Sequence, residues 1–121
     1  LYYLAGVEKK LDIRAAWTAP FARFAEAARA DTRTTLDFDR LYTLWQSVRA
    51  VAFLDAPMLE IGVLRGGSSA FLASAQLTFG KAGKIYSCDT FQGHASVDSR
   101  YDARHTVGHF GDRTSFTDVK K

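Results

Sequence analysis

The chain has 121 residues, 47% hydrophobic and 24% charged, which is the composition of one globular domain with a small core. Its net charge of +3 comes from 16 basic and 13 acidic residues that are interspersed, so a nucleic-acid partner is not expected. No apolar run approaches the roughly 20 residues of a membrane span, and the single Cys88 excludes an internal disulfide framework and favours a reducing cytoplasm.

Two amphipathic helices are predicted in the first half of the chain. Thr18 can cap the first helix, with Pro20 in its first turn. Thr34 or Thr35 can cap the second helix, whose apolar face should pack on a sheet. The apolar positions are Phe21, Phe24, Ala25 and Ala28 in the first helix and Leu41, Leu44, Trp45, Val48, Val51 and Ala52 in the second.

A strand, a helix and a second strand follow in that order. Met58 to Leu64 lacks alternation, which is typical of a strand covered on both faces. A helix is predicted from about Ser68 to Phe79, with a glycine C-cap in residues 80–83. The strand Lys84 to Thr90 should run parallel to the first through a right-handed crossover. The pattern predicts an α/β fold in which N-terminal helices precede the first βαβ unit of a Rossmann-like, doubly wound parallel sheet.

A long polar segment follows the second predicted strand. Residues 92–112 are rich in Gly, Ser, Asp and His, and such a loop at the carboxyl edge of a sheet is more often a binding segment than a simple connection. His105 and His109 have the i, i+4 spacing of a helical metal pair. Gly108 between them argues against a helix, so no metal site is predicted within this chain. A final helix is expected near Ser115.

The turn after the first strand carries the strongest functional signal. Its glycines are Gly62, Gly66 and Gly67, and such a strand-turn-helix puts unpaired N–H groups and a helix N-terminus at the carboxyl edge of a sheet. The dinucleotide pattern needs a glycine where Leu64 stands, and the phosphate-loop pattern needs a lysine where Ser68 stands. A dinucleotide and a nucleoside triphosphate are therefore both disfavoured as ligands.

Two acidic residues narrow the choice of ligand. Glu60 lies on the first strand, where a buried carboxylate requires a donor such as the amino group of an amino-acid-like ligand. The unpaired N–H groups of the turn can bind the carboxylate of that ligand. Asp89 ends the second strand, where a carboxylate can accept hydrogen bonds from both hydroxyls of a ribose. An amino acid joined to a nucleoside without a phosphate is S-adenosylmethionine.

These residues also resemble a known enzyme family. Met58 to Ser68, together with Cys88 to His94, resembles the class I S-adenosylmethionine-dependent methyltransferases, and most of all the macrocin O-methyltransferase type that acts on sugars of natural products. Residues 105–120 are similar to the segment of that family that leads into its next helix. The resemblance covers about half of the chain, from Pro57 to the end.

The resemblance implies a domain division and an activity. Residues 1–33 are expected to form a helical leader or arm, and residues 34–121 the N-terminal part of a methyltransferase domain, since the chain has room for about one βαβ unit besides its helices. The implied reaction is O-methylation of a small-molecule or sugar hydroxyl in natural product biosynthesis. The family's Mg²⁺ ligands and its catalytic base belong to later strands and loops, so they would be missing from this chain.

The expected cofactor-binding residues lie in the turn and just after the second strand. They are Glu60, Gly62, Arg65, Gly66, Gly67, Ser68, Asp89, Thr90 and Phe91. In the resembled family the serine that matches Ser68 helps to hold the methionine carboxylate. Thr90 and Phe91 would border the adenine, and His94 would approach the methyl acceptor.

Each of these residues also has a purely structural interpretation. Glu60 can form an ion pair with Arg65, Ser68 can be a helix N-cap, and Asp89 can be a turn residue. Two other functions remain open as well. Gly66 to Ala70 is close to the nucleophile elbow of serine hydrolases, with Ser68 as nucleophile, although Ala70 replaces the last glycine of that motif. The other is a non-enzymatic interaction domain, and a homo-oligomer is compatible with each function.

Overall fold

The fold is a three-helix layer packed on one side of a two-stranded sheet. The computed structural model describes residues 17–30 and 33–119, so the part of the predicted leader before residue 17 lies outside the described residues. The elements are α1 (Ala19–Arg29), α2 (Phe38–Ala50), β1 (Met58–Ile61), α3 (Gly67–Thr78), β2 (Ile85–Cys88), a 3₁₀ turn (Gly111–Arg113) and α4 (Phe116–Val119). Within these ranges no helix has the length and hydrophobicity needed to span a bilayer.

The two strands and α3 form one βαβ unit. β1 and β2 pair in parallel, with Met58 opposite Ile85 and Ile61 opposite Cys88. The described chain is therefore a mixed helix–strand structure with a parallel strand pair, which is compatible with the predicted α/β fold. The extension to a Rossmann-like sheet stays a prediction.

Helix α1 follows its sequence prediction, whereas α2 begins later than expected. Thr18 occupies the N-cap position of α1, and Pro20 lies in the first turn. Helix α2 is capped by Asp37, whose side chain accepts the N–H of Arg40 at 2.9 Å. The prediction of a threonine cap was wrong because the Thr34 hydroxyl is engaged two residues downstream, where it accepts a backbone N–H at 3.2 Å.

The hydrophobic core lies among the three long helices and not between α2 and the sheet. Phe21 of α1 meets Phe71 of α3 edge to face at 6.0 Å between ring centroids, and Trp45 of α2 lies 5.9 Å from the same ring. The predicted packing of α2 on the sheet was wrong because α3 lies between them. Met58 and Ile85 add the sheet's contribution at the edge of this core.

Helix α3 ends in the glycine cap that the sequence predicts. Gly80 has φ +66, the left-handed conformation that glycine adopts most readily. Its N–H donates to Leu77 O at 3.4 Å, and the N–H of Lys81 donates to Gln76 O at 2.9 Å. This pair of bonds is a Schellman motif, and it turns the chain directly into β2.

Only one face of the sheet is covered by described residues. Side chains alternate along a strand, and the register puts Leu59, Ile61 and Tyr86 on the face opposite α3. Their exposed fractions are 64%, 80% and 52%. The expectation of a strand covered on both faces was therefore wrong for the described chain. Both faces of β1 carry apolar residues, but α3 packs against only one of them.

Candidate functional site

The turn between β1 and α3 has a backbone that depends on glycine. Gly62 has φ +87 and Gly66 has φ +80, and Gly66 supplies the N-cap of α3. A methyl group added at Gly62 would meet no atom within 4 Å, so the space beside this backbone is open. Leu64 lies between them with φ +53, which is uncommon for a residue with a side chain.

Gly67 and Ser68 have structural positions in the start of α3. A Cβ on Gly67 would lie 2.5 Å from the carbonyl oxygen of Ala28, and the Gly67 N–H donates to Arg33 O at 3.2 Å. Gly67 thus lets α3 approach the connection between α1 and α2. Ser68 is only 6% exposed, and the N-cap is Gly66 and not Ser68.

Asp89 joins the end of β2 to the glycine turn. Its Oδ2 accepts the N–H groups of Val63 at 2.7 Å and Leu64 at 2.9 Å, and its Oδ1 accepts the N–H of Phe91 at 2.8 Å. The same side chain therefore fixes the turn after β1 and the turn after β2. Asp89 and the Gly62 turn are brought together, as the sequence predicts, but the carboxylate already has backbone partners.

The pKa of the Asp89 carboxyl lies below its ordinary value. Burial by itself raises this pKa, because it disfavours the charged form. The backbone N–H groups of Phe91, Leu64, Val63 and Thr90 stabilise the carboxylate and together outweigh burial. Asp89 is therefore ionised at neutral pH and places a negative charge at the carboxyl edge of the sheet.

A pocket of about 590 Å³ opens at this edge, within the ~300–1,000 Å³ range of small-molecule sites. Its floor is formed by the two strand ends and the turn, and its outer wall by the polar loop. The residues that line it are Thr35, Ile61, Gly62, Leu64, Cys88, Asp89, Thr90, Gly93, His94, His109, Phe110 and Thr114. Six polar side chains contribute to this lining beside four apolar ones, so both polar and apolar ligand groups can find partners there.

Glu60 points toward α3. It lies on the covered face of the sheet, where the Ser69 hydroxyl donates to Glu60 Oε2 and lies 2.9 Å from the Ser87 hydroxyl. Glu60 does not line the pocket formed by the described residues. Arg65 is exposed at the rim of the turn. Ligand contact by these two residues stays a prediction.

Some of the residues after β2 line the pocket, and others only pack beside it. Thr90 lines the pocket, and its hydroxyl lies 3.3 Å from Gly93 O and donates to it. Phe91 has φ +54, and its ring packs edge to face on Phe116 at 5.6 Å. Phe91 is thus a neighbour of the pocket and not part of its lining. His94 lines the wall, and its contact with a methyl acceptor stays a prediction.

The sequence did not point to two threonines that line the pocket from distant parts of the chain. The Thr114 hydroxyl donates to Leu64 O, so residue 114 holds the far end of the loop against the glycine turn. Thr35 reaches the same pocket from the connection before α2. No local pattern marks either threonine. His109 and Phe110 lie in a segment predicted to be a binding loop, and that segment does line the pocket.

Comparison with protein-family models, with curated proteins and with solved structures finds no match to this chain. The class of this protein can therefore be described only by its fold and its pocket. The chain is a small mixed helix–strand protein with a ligand-sized pocket at the carboxyl edge of a parallel strand pair. The resemblance to class I methyltransferases stays a prediction.

Proposed function

We propose that this pocket binds S-adenosylmethionine and that the chain is the cofactor-binding part of an O-methyltransferase. The supporting observation is the convergence of the Gly62 turn, the Asp89 carboxylate and Thr90 in one pocket at the carboxyl ends of two parallel strands. Open sheets with parallel strands bind ligands at this edge. A Rossmann-like sheet would extend the parallel pair.

The hydrogen bonds of Asp89 refine how the ribose would bind. A carboxylate offers about four lone-pair positions, and three of them accept N–H groups of Val63, Leu64 and Phe91. At most one position remains, on Oδ1. One ribose hydroxyl would therefore donate to Asp89, in place of the two expected from the sequence. The other hydroxyl would find the Thr90 side chain or water.

The rest of the cofactor would lie along the turn. The methionine end would pass over Gly62, where the open space allows a ligand to approach the backbone. Leu64, which is half-buried, would give an apolar contact at the reacting end. When bound, S-adenosylmethionine supplies an already activated methyl group, so the residues of the chain need mainly to position it and to hold the acceptor hydroxyl in line.

The acceptor would enter from the side of the polar loop. His94 and His109 are the imidazoles of the pocket wall, and His94 would lie next to the acceptor. The proposed acceptor is a small-molecule or sugar hydroxyl. In the resembled family, the Mg²⁺ ligands and the catalytic base belong to later strands and loops.

The proposal is tested by equilibrium binding of S-adenosylhomocysteine to the folded chain. We expect saturable 1:1 binding that weakens at least about tenfold in Asp89→Asn, since the loss of a charged hydrogen-bond partner is worth ~1.5–3 kcal/mol. Asp98→Asn is the matched control, because Asp98 pairs with Arg100 on the exposed loop and does not line the pocket. No saturable binding by a chain with intact circular dichroism would contradict the proposal.

A second candidate, a non-enzymatic interaction domain, is favoured by the uncovered sheet face. Leu59, Ile61 and Tyr86 form an exposed apolar patch of the kind that marks interaction sites. Concentration-dependent association in sedimentation experiments, with no binding of S-adenosylhomocysteine, would select this function. The serine hydrolase is not favoured because Ser68 is buried in α3, and the absence of labelling by a fluorophosphonate would exclude it.

A further inference from the structure

The polar loop brings all three histidines of the protein into one cluster. His94, His105 and His109 each offer one ring nitrogen, and these three atoms lie within 4.8 Å of one another. The Nδ1 atoms of His105 and His109 are 2.9 Å apart. In a hydrogen bond of this length one Nδ1 atom accepts through its lone pair, and an imidazole binds a metal ion through the same kind of lone pair.

The backbone of the loop is built to hold these rings together. The N–H of His94 donates to His109 O at 3.1 Å, and the N–H of Gly108 donates back to His94 O at 2.8 Å. Gly93 has φ +75, and a Cβ at this position would collide with the carbonyl oxygens of residues 108 and 109. Two distant parts of the loop are thus locked side by side, and a glycine is required where they touch.

Aromatic packing orients the rings further. Phe110 stacks on His109 with 4.0 Å between centroids and an interplanar angle of 8°. The ring of His94 lies 5.7 Å from Phe110 and 4.9 Å from His105. His105 and His109 are half-buried, whereas His94 is exposed. Two rings of the cluster are therefore half-buried, and the third lies exposed at the surface of the pocket.

The geometry points to a site in which three histidines bind a divalent transition-metal ion such as Zn²⁺. Zinc binds imidazole nitrogen at ~2.0–2.1 Å in tetrahedral sites, which separates two ligating nitrogens by roughly 3.3 Å. His105 and His109 are already near that spacing. All three ligand atoms lie within 4.8 Å of one another, so side-chain movements of roughly 1.5 Å would complete the set.

The three imidazole ligands also determine which ions can bind and where the fourth coordination position lies. Three imidazoles suit Zn²⁺, Ni²⁺ or Cu²⁺, whereas Mg²⁺ and Ca²⁺ prefer oxygen ligands. His94 and His109 line the pocket, so the fourth coordination position faces the cavity, where a water or a polar ligand group can occupy it. None of the three ligands is a cofactor contact in the proposed function, although His94 and His109 line the same pocket.

The test is direct Zn²⁺ binding by the untagged chain, measured by competition with a chromophoric chelator. The background is Cys88→Ser, because the exposed Cys88 thiol lines the same pocket and thiolates are zinc ligands in general. We expect 1:1 binding that is kept in Cys88→Ser. His105→Gln and His109→Gln should each weaken it by at least about tenfold, since even the outer partners of metal ligands change affinity by ~10–100-fold.

A second measurement covers the case in which a histidine variant fails to fold. Zn²⁺ added to the ¹⁵N-labelled parent chain should shift the imidazole resonances of all three histidines at one equivalent, and Co²⁺ should give the visible bands of a four-coordinate site. No saturable binding up to roughly 0.1 mM Zn²⁺, binding that survives replacement of all three histidines, or binding lost only in Cys88→Ser would each overturn the proposal. Binding of S-adenosylhomocysteine is measured separately, so the two proposals fail independently.

Discussion

Replacement of Asp89 by alanine should destabilise the chain more than any surface substitution. The change removes the acceptor for the N–H groups of Val63 and Leu64, and Val63 is 1% exposed. A buried donor without a partner costs ~1–3 kcal/mol. The N–H of Phe91 loses its partner as well, and all three hydrogen bonds are only partly buried. We therefore expect the free energy of unfolding to fall by roughly 2–4 kcal/mol, a large share of the ~5–15 kcal/mol of a typical domain.

Urea unfolding at neutral pH, followed by the fluorescence of the buried Trp45, measures this loss. Asp98→Ala is the matched control and should leave the free energy of unfolding close to that of the parent, because its ion pair with Arg100 is exposed. An Asp89→Ala protein within about 0.5 kcal/mol of the parent would refute the bridging role of this carboxylate.

The pH dependence of Asp89 has a definite sign. Its pKa is lower in the folded chain than the ordinary aspartate value of 3.8, so the unfolded chain takes up the proton first as the pH falls. The stabilisation by Asp89 is fully present well above pH 3.8 and is lost as the pH falls through the folded-state pKa. The stability difference between the parent and Asp89→Asn should therefore narrow below pH 3.8, as measured by urea unfolding across that range.

Other substitutions test the packing around the site. Gly67→Ala should lower the free energy of unfolding by ~1–3 kcal/mol, because the new methyl group would lie 2.5 Å from the Ala28 carbonyl oxygen. Gly62→Ala should lower it by only ~1 kcal/mol, the cost of a left-handed backbone for a residue with a side chain. Thermal unfolding measures both losses, and equal losses would contradict this account. Phe71→Ala should lose ~3–5 kcal/mol in urea unfolding, since the ring is 1% exposed at the centre of the core. Ile61→Lys should leave stability within about 0.5 kcal/mol, because that side chain is 80% exposed, and it should reduce any self-association seen by sedimentation.

Local sequence signals predicted most of the elements. Pro20 at the start of α1, the apolar spacing of α2 and the glycine after α3 depend on interactions within one or two helical turns. The Gly62 turn and the position of Asp89 were also predictable, because parallel strands bring their carboxyl ends to one edge. These parts of the fold needed no knowledge of distant contacts.

The remaining errors concern interactions between distant residues. An apolar strand such as β1 does not reveal which of its faces a helix will cover, so the exposure of Ile61 could not be predicted. The direction of Glu60 toward Ser69 depends on the register of α3 over the sheet. Likewise, the bond between Thr114 and Leu64 joins residues fifty positions apart, and no local pattern announces it.

The most direct test of the proposed cofactor site is an NMR titration of the ¹⁵N-labelled chain with S-adenosylhomocysteine. The account predicts saturable shifts of the amide signals of Gly62, Leu64, Asp89 and Thr90, which surround the pocket, and little change at Gly67, which packs against the helices. A well-dispersed spectrum that does not change, or shifts that appear only on the exposed face around Tyr86, would contradict it.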